Sequence, residues 1–101
     1  MTPIVWTPQA IGDVEAVRAY IARDSAHYAA VVAEQIVEAV GRLSAFPLSG
    51  RVVPELGQKT LREIIYGNYR IVYRVTDGTI QVLTVFHASR LFTLLGERPS
   101  N

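Results

Sequence analysis

At 101 residues, half of them hydrophobic, the chain is long enough for one domain with a real core. The absence of cysteine excludes disulfides, thiolate metal sites and cysteine catalysis, and fits a reducing compartment. A formal charge of +1 excludes a strongly basic nucleic-acid binder by total charge, and no apolar run approaches the roughly 20 residues of a membrane span.

The N-terminus lacks the basic start and apolar stretch of a signal peptide, so the expected location is cytoplasmic. Lys59 is the single lysine among ten basic residues. Arginine suits bidentate contacts to carboxylate or phosphate, although a high-GC genome also raises Arg over Lys. From Arg51 onward seven basic residues stand against four acidic ones, which places the positive field in the C-terminal half.

Residues 3–6, Pro-Ile-Val-Trp, read as a short first strand. Thr7-Pro8 has the form of an N-cap followed by proline at the first helical position. Ile11, Val14, Val17 and Ile21 recur at helical spacing and predict an amphipathic helix over 8–23. Asp24-Ser25 breaks it and caps a second helix over about 26–46, striped by Ala29, Val32, Ile36, Val40 and Leu43. The short break predicts an antiparallel helix hairpin. Gly41 inside the second helix costs about 1 kcal/mol relative to Ala, which close packing there would explain.

Phe46-Pro47-Leu48-Ser49-Gly50-Arg51 opens the one long connection, expected to stay irregular to about residue 59. Three strands follow at 60–66, 69–76 and 79–87, joined by the primed-type turns Gly67-Asn68 and Asp77-Gly78. Residues 89–101 hold a Leu/Phe turn and a polar tail, fraying at about 97–101. No repeat or second domain is visible, so residues 1–101 read as a single domain.

An unbroken register pairs Tyr69 with Phe86, Ile71 with Thr84, Tyr73 with Val82 and Val75 with Ile80. With Ile64 and Tyr66 these form an apolar, aromatic face for the helix hairpin. The opposite face carries Glu63, Ile65, Arg70, Val72, Arg74, Leu83 and Val85, with His87 at one end. Glu63 is diagonal to both Arg70 and Arg74. This half-apolar, cationic face has nothing left in the chain to cover it fully, and is a candidate partner-binding surface.

The chemistry-bearing residues each have a plain alternative. Arg70 suits a phosphate clamp or an ion pair with Glu63. His87 suits a general acid or base, or a structural role at a strand end. Pairing with arginines would weaken Glu63 as a base. Arg74 suits a solvated charge, and His27 a surface position. Arg90, just after the last strand, could fold back beside Arg70. The histidines and carboxylates show no metal-ligand spacing, there is no glycine-rich phosphate loop, and the serines lack a nucleophile-elbow context. No metal or cofactor is expected.

Taken in order, Trp6-Thr7-Pro8, Tyr20-Ile21-Ala22-Arg23-Asp24, the segment Phe46 to Leu56, Leu61-Arg62-Glu63, the run Tyr69 to Val75 and the run Val85 to Arg90 form a specific set. The chain resembles the RelE/ParE superfamily of type II toxin–antitoxin toxins over almost its whole length. The resemblance implies an α+β fold: an N-terminal strand and a helix hairpin packed on a three- to four-stranded antiparallel sheet. It implies a growth-inhibiting toxin neutralised by a cognate antitoxin, with operator DNA reached only through the antitoxin and no membrane involved.

The superfamily divides by target, either mRNA on the ribosome or DNA gyrase. For the nuclease branch, the resemblance gives Arg70 and Arg90 catalytic roles, with His87 as a substitute for a C-terminal tyrosine. That tyrosine is missing: Leu91-Phe92-Thr93-Leu94-Leu95-Gly96 follows Arg90. The segment Phe46 to Leu56 also leans toward the ParE side. The expectation is therefore a toxin that poisons gyrase without catalysis. The alternatives are a ribosome-dependent mRNA endonuclease and a non-toxic relative that only binds a partner.

Overall fold

The computed structural model describes residues 1–89; Arg90, the Leu/Phe turn and the tail lie outside the described residues. In chain order the elements are β1 (Ile4–Trp6), α1 (Pro8–Ala22), α2 (Ala26–Gly41), a 3-10 turn (Arg42–Ser44), β2 (Arg51–Val52), β3 (Leu61–Tyr66), β4 (Tyr69–Thr76) and β5 (Thr79–His87). The helix hairpin packs on one face of a sheet ordered β1-β5-β4-β3-β2, giving the expected α+β architecture. Among the described residues the sheet has five strands, because the predicted N-terminal strand and a short extra strand join the three predicted after residue 60. The long connection contributes the two-residue β2, antiparallel to β3, and β1 joins the other edge parallel to β5.

Local chemistry sets the helix ends. The Thr7 hydroxyl accepts from the Ala10 amide at 3.2 Å, with Pro8 opening α1. The Ser25 hydroxyl caps α2 by accepting from the Tyr28 amide at 3.1 Å. The predicted stripe of α2 is buried in full: Ala29, Val32, Ile36, Val40 and, in the 3-10 turn, Leu43. That helix ends at Gly41 instead of about residue 46, because the chain tightens into the 3-10 turn. A Cβ on Gly41 would meet nothing within 4 Å, so close packing does not account for this glycine.

The stripe of α1 begins one residue earlier than its periodicity suggests. Ala10 is buried, whereas Ile11 is 52% exposed. Thr7 is the reason. Its amide donates to the Val82 carbonyl at 3.1 Å, and its hydroxyl lies 2.8 and 3.1 Å from the Val82 and Leu83 carbonyls. This anchor sets the rotation of α1 and brings its first turn close to β5, where alanine fits.

Both hairpin turns have the backbone signs of primed turns. Gly67 alone takes a positive φ of 54° in the first, and Asp77 and Gly78 take 24° and 78° in the second. From the second turn, register runs as expected through Val75–Ile80, Arg74–Gln81 and Tyr73–Val82. It then shifts, with Val72 opposite Thr84, Ile71 opposite Val85, Arg70 opposite Phe86 and Tyr69 opposite His87. Leu83 is the extra residue of a β-bulge.

The bulge corrects the expected faces. Val85, expected on the open face, joins the helix-side core with Ile71 and Val82, and Phe86 moves to the other side with Val72 and Leu83. The cause is again α1. The β1 ladder ends at Trp6–Val82, and beyond it α1 supplies the partners along β5. Besides the Thr7 bonds, the Asp13 carboxylate accepts from the Thr84 hydroxyl at 2.6 Å and the Val85 amide at 3.0 Å.

The far face also departs from expectation, because the 53–60 loop covers much of it. Val53, Leu61 and Val72 are fully buried there and pack with Leu56, Leu83 and Phe86. Val72 is therefore core, Leu83 half-buried and Ile65 exposed. The loop folds back through hydrogen bonds donated by the Leu56 and Gly57 amides to the Val53 carbonyl, at 3.1 and 3.0 Å, with Gly57 in the left-handed region at φ 66°.

Candidate functional site

An ion-pair network lies beneath this loop. Strand β2 places Arg51 directly opposite Glu63 of β3, and Arg70 of β4 lies diagonal to Glu63. The loop turn delivers Glu55 from above. The Arg70 Nε and Nη2 atoms donate to Glu63 Oε1 at 2.8 and 2.5 Å. Its Nη1 and Nη2 atoms donate to Glu55 Oε2 and Oε1 at 2.6 and 2.7 Å, a bidentate fork. Arg51 donates through Nε to Glu63 Oε2 at 2.7 Å, with Nη2 at 2.6 Å from the same oxygen. Glu63 thus bridges two arginines, and Arg70 bridges two glutamates.

Burial makes the network strict. Glu63 is almost fully buried and Arg70 is only 5% exposed. The guanidinium carbon of Arg70 sits 5.0 Å from the Phe86 ring centroid, a cation–π contact that exists because the bulge turned Phe86 to this side. The hydrogen bond to Glu55 is the largest cause raising the Arg70 pKa, and it outweighs the opposing effect of burial. Arg70 is therefore a permanently charged side chain that donates four hydrogen bonds to Glu55 and Glu63. A phosphate could reach its fork only by displacing a carboxylate.

Of the other expected site residues, Arg90 lies outside the described residues, and Arg74 and His87 stand apart from these ion pairs. Arg74 is half-buried opposite Leu61 and Gln81, and among the described residues it forms no ion pair with Glu63. His87 is exposed, with Nδ1 2.8 Å from the Ser89 hydroxyl and its ring edge-on to Tyr69 at 5.7 Å. His27 is on the surface, as read. No group of three His, Cys, Asp or Glu among the described residues could hold a metal ion. No described helix is long and apolar enough to cross a membrane.

Sequence reasoning missed Glu55, Phe86 and Asp13. Glu55 sits in Pro54-Glu55-Leu56-Gly57, a turn sequence whose glycine could have signalled a fold-back. Phe86 and Asp13 depend on the bulge, which leaves no local mark in β5.

A second polar cluster fixes the start of the long connection. The hydroxyl of fully buried Tyr73 donates to the Pro47 carbonyl at 2.8 Å and accepts from the Gly50 amide at 3.0 Å. Burial pushes the Tyr73 pKa above its ordinary value. Arg62 Nη1 reaches the Leu48 and Gly50 carbonyls at 3.4 and 3.0 Å. Any Cβ on Gly50 would lie 2.6 Å from both the Glu63 carbonyl and the Tyr73 hydroxyl oxygen, so the close approach requires glycine.

Comparison with known proteins agrees with this framework. The family model described as the ParE toxin of type II toxin–antitoxin systems, parDE, matches residues 4–92. Toxin RelE2 of Caulobacter vibrioides is 36% identical over 92 residues, covering 90% of this chain and all of that protein. A solved structure of the chromosomal ParDE system from P. aeruginosa superposes with a TM-score of 0.71 at 23% identity, covering 86% of this chain and 96% of that one, and shares the fold. The chain belongs to the ParE toxin family within the RelE/ParE superfamily, the toxins of type II toxin–antitoxin modules, for which an antitoxin is the partner.

Proposed function

We propose that this toxin inhibits bacterial growth by poisoning DNA gyrase without catalysis of its own, and that its cognate antitoxin neutralises it by binding. The state of Arg70 carries this reading. A nuclease needs a cation whose donors can meet a phosphate as charge develops on it. Here four hydrogen bonds commit the guanidinium to Glu55 and Glu63, and the 53–60 loop covers it. The missing tyrosine beyond Arg90 supports the same choice, because His87, its expected substitute, is bonded to Ser89 and, among the described residues, forms no ion pair with the glutamates of the Arg70 network.

The test is inhibition of gyrase supercoiling by purified toxin, reversed by the antitoxin, together with ribosome profiling after induction. Gyrase inhibition without A-site mRNA cuts is the expected result. A-site cuts that vanish in Arg70→Ala would replace this reading with mRNA cleavage. No growth inhibition by the wild-type chain would leave a partner-binding relative.

A further inference from the structure

Beyond Tyr73–Val82 the β4–β5 ladder can be drawn in two registers. Unbroken alternation would send Phe86 toward the helices and place Val85 beside Arg70. The structure takes the other register, with Leu83 as the extra residue, Val85 toward the helices and Phe86 against Arg70. Register is strongly specified where one face is buried and the other is polar. Here the helix hairpin covers one face and the 53–60 loop covers much of the other. Leu83, Val85 and Phe86 leave apolar side chains on both faces in either register. Burial alone therefore separates the two registers weakly.

Polar contacts make the choice, and they come from α1. One oxygen of the Asp13 carboxylate accepts from the Thr84 hydroxyl at 2.6 Å and the Val85 amide at 3.0 Å. Its other oxygen accepts from Gln9 Nε2 at 2.8 Å. Asp13 forms no ion pair among the described residues, so its charge acts on these donors alone. It is only half-buried, so a partner's donor or water can compete for it. On the far face the same register decides the state of the loop. It sets the Phe86 ring 5.0 Å from the Arg70 guanidinium carbon, and Arg70 holds Glu55 of the 53–60 loop.

We propose that the end of the β4–β5 ladder is a two-register switch clamped by Asp13, and that release of Asp13 slips residues 83–88 by one position, draws Phe86 away from Arg70 and loosens the 53–60 loop. A contact made on α1 is thereby felt on the opposite face of the sheet. The change is discrete, because a one-residue slip has no intermediate pairing.

The chain has no cysteine, so one introduced pair reports register directly. The Ala88 amide donates to the Asn68 carbonyl at 2.6 Å, which sets these two residues opposite each other; a slip would set His87 opposite Asn68. All three are exposed. The experiment uses the full chain, produced with its antitoxin and then separated. It compares disulfide closure in N68C/A88C and N68C/H87C, alone and combined with D13A, and follows amide exchange at Leu56 and Gly57.

With Asp13 present, N68C/H87C is expected to close at least about tenfold more slowly than N68C/A88C, because its side chains point to opposite faces. D13A loses two charge-assisted bonds and should raise the N68C/H87C rate about tenfold or more, with faster exchange at Leu56 and Gly57. T84V keeps Asp13 on the Val85 amide and should act in the same direction by a smaller factor. If D13A loses all protected amides, T84V decides the question. Slow N68C/H87C closure in folded D13A, or in T84V if D13A is unfolded, overturns the switch. Equal closure of the two pairs with Asp13 present overturns its role as the clamp. Slippage with unchanged exchange at Leu56 and Gly57 overturns the coupling to the loop.

Discussion

The two faces of this sheet are built by different physics. Against the helices, Ile71, Val82 and Val85 meet Ala10, Val14, Val32, Ile36 and Val40 in an apolar core. Against the 53–60 loop, Val53, Leu61 and Val72 share their face with Glu63, Arg70 and Phe86. A helix satisfies its own backbone, so it can cover a sheet with apolar side chains alone. A short loop brings few apolar groups and many backbone ones. It is held by charge instead, through the Glu55 fork on Arg70. The lesson concerns function as well as stability: an arginine among strand residues can be the fastening of a cover, and need not be a catalytic group.

The largest expected effect breaks the loop side. Arg70→Ala leaves Glu63 buried beside a cavity and should cost about 3–5 kcal/mol, measured by urea unfolding. A cost below about 1 kcal/mol would mean that the network is dispensable. On the helix side, Ile36→Ala should cost roughly 2–5 kcal/mol by cavity formation. The contrast between the sides should appear in salt: the Ile36 penalty should be insensitive to it, and the Arg70 penalty should shrink only slightly, because the pair is buried.

Asp13→Ala tests the element that sorts residues between the faces. It removes the partner of the buried-side Val85 amide and should cost about 1–3 kcal/mol. Amide exchange at Val85 should accelerate, and unchanged protection there would show that the bulge persists without Asp13.

Tyr73 gives a pH test of the loop's support. Its pKa is raised above 10.0 in the folded state, so the folded chain holds the phenolic proton more tightly than the unfolded chain. That contribution is complete below pH 10 and is lost as pH rises through the folded value. Wild-type stability should therefore fall more steeply above pH 10 than that of Tyr73→Phe. Parallel profiles would exclude the hydroxyl as the titrating group. The smallest effect is a gain. Gly41 is helical at φ −56° with open space at its Cβ position, so Gly41→Ala should stabilise by about 1 kcal/mol or less. Destabilisation would reveal a packing role that the structure lacks.

Much of the fold was legible in the residues because local rules and global structure agree. Thr7-Pro8 and Ser25 cap the helices, the α2 stripe is buried, and both glycine-bearing turns close hairpins. The family resemblance was equally legible, since it resides in ordered short motifs. The candidate site was legible in part. Glu63 and Arg70 were placed on one face and at a diagonal, and they are paired there.

Only the tertiary structure decided which residues that face would show. Strand alternation assigns faces correctly until a single extra residue intervenes, after which each later side chain is reversed. Thr7 and Asp13, 71 or more positions away in sequence from the bulge residues they bind, place that extra residue at Leu83. They thereby send Val85 to the helices and Phe86 to Arg70. The loop cover is non-local in the same way, for Glu55 reaches Arg70 only after β2 has paired with β3. Short-range pattern determined the elements, whereas long-range hydrogen bonds and one bulge determined which arginine is locked away and which apolar residues of the sheet are buried on each face.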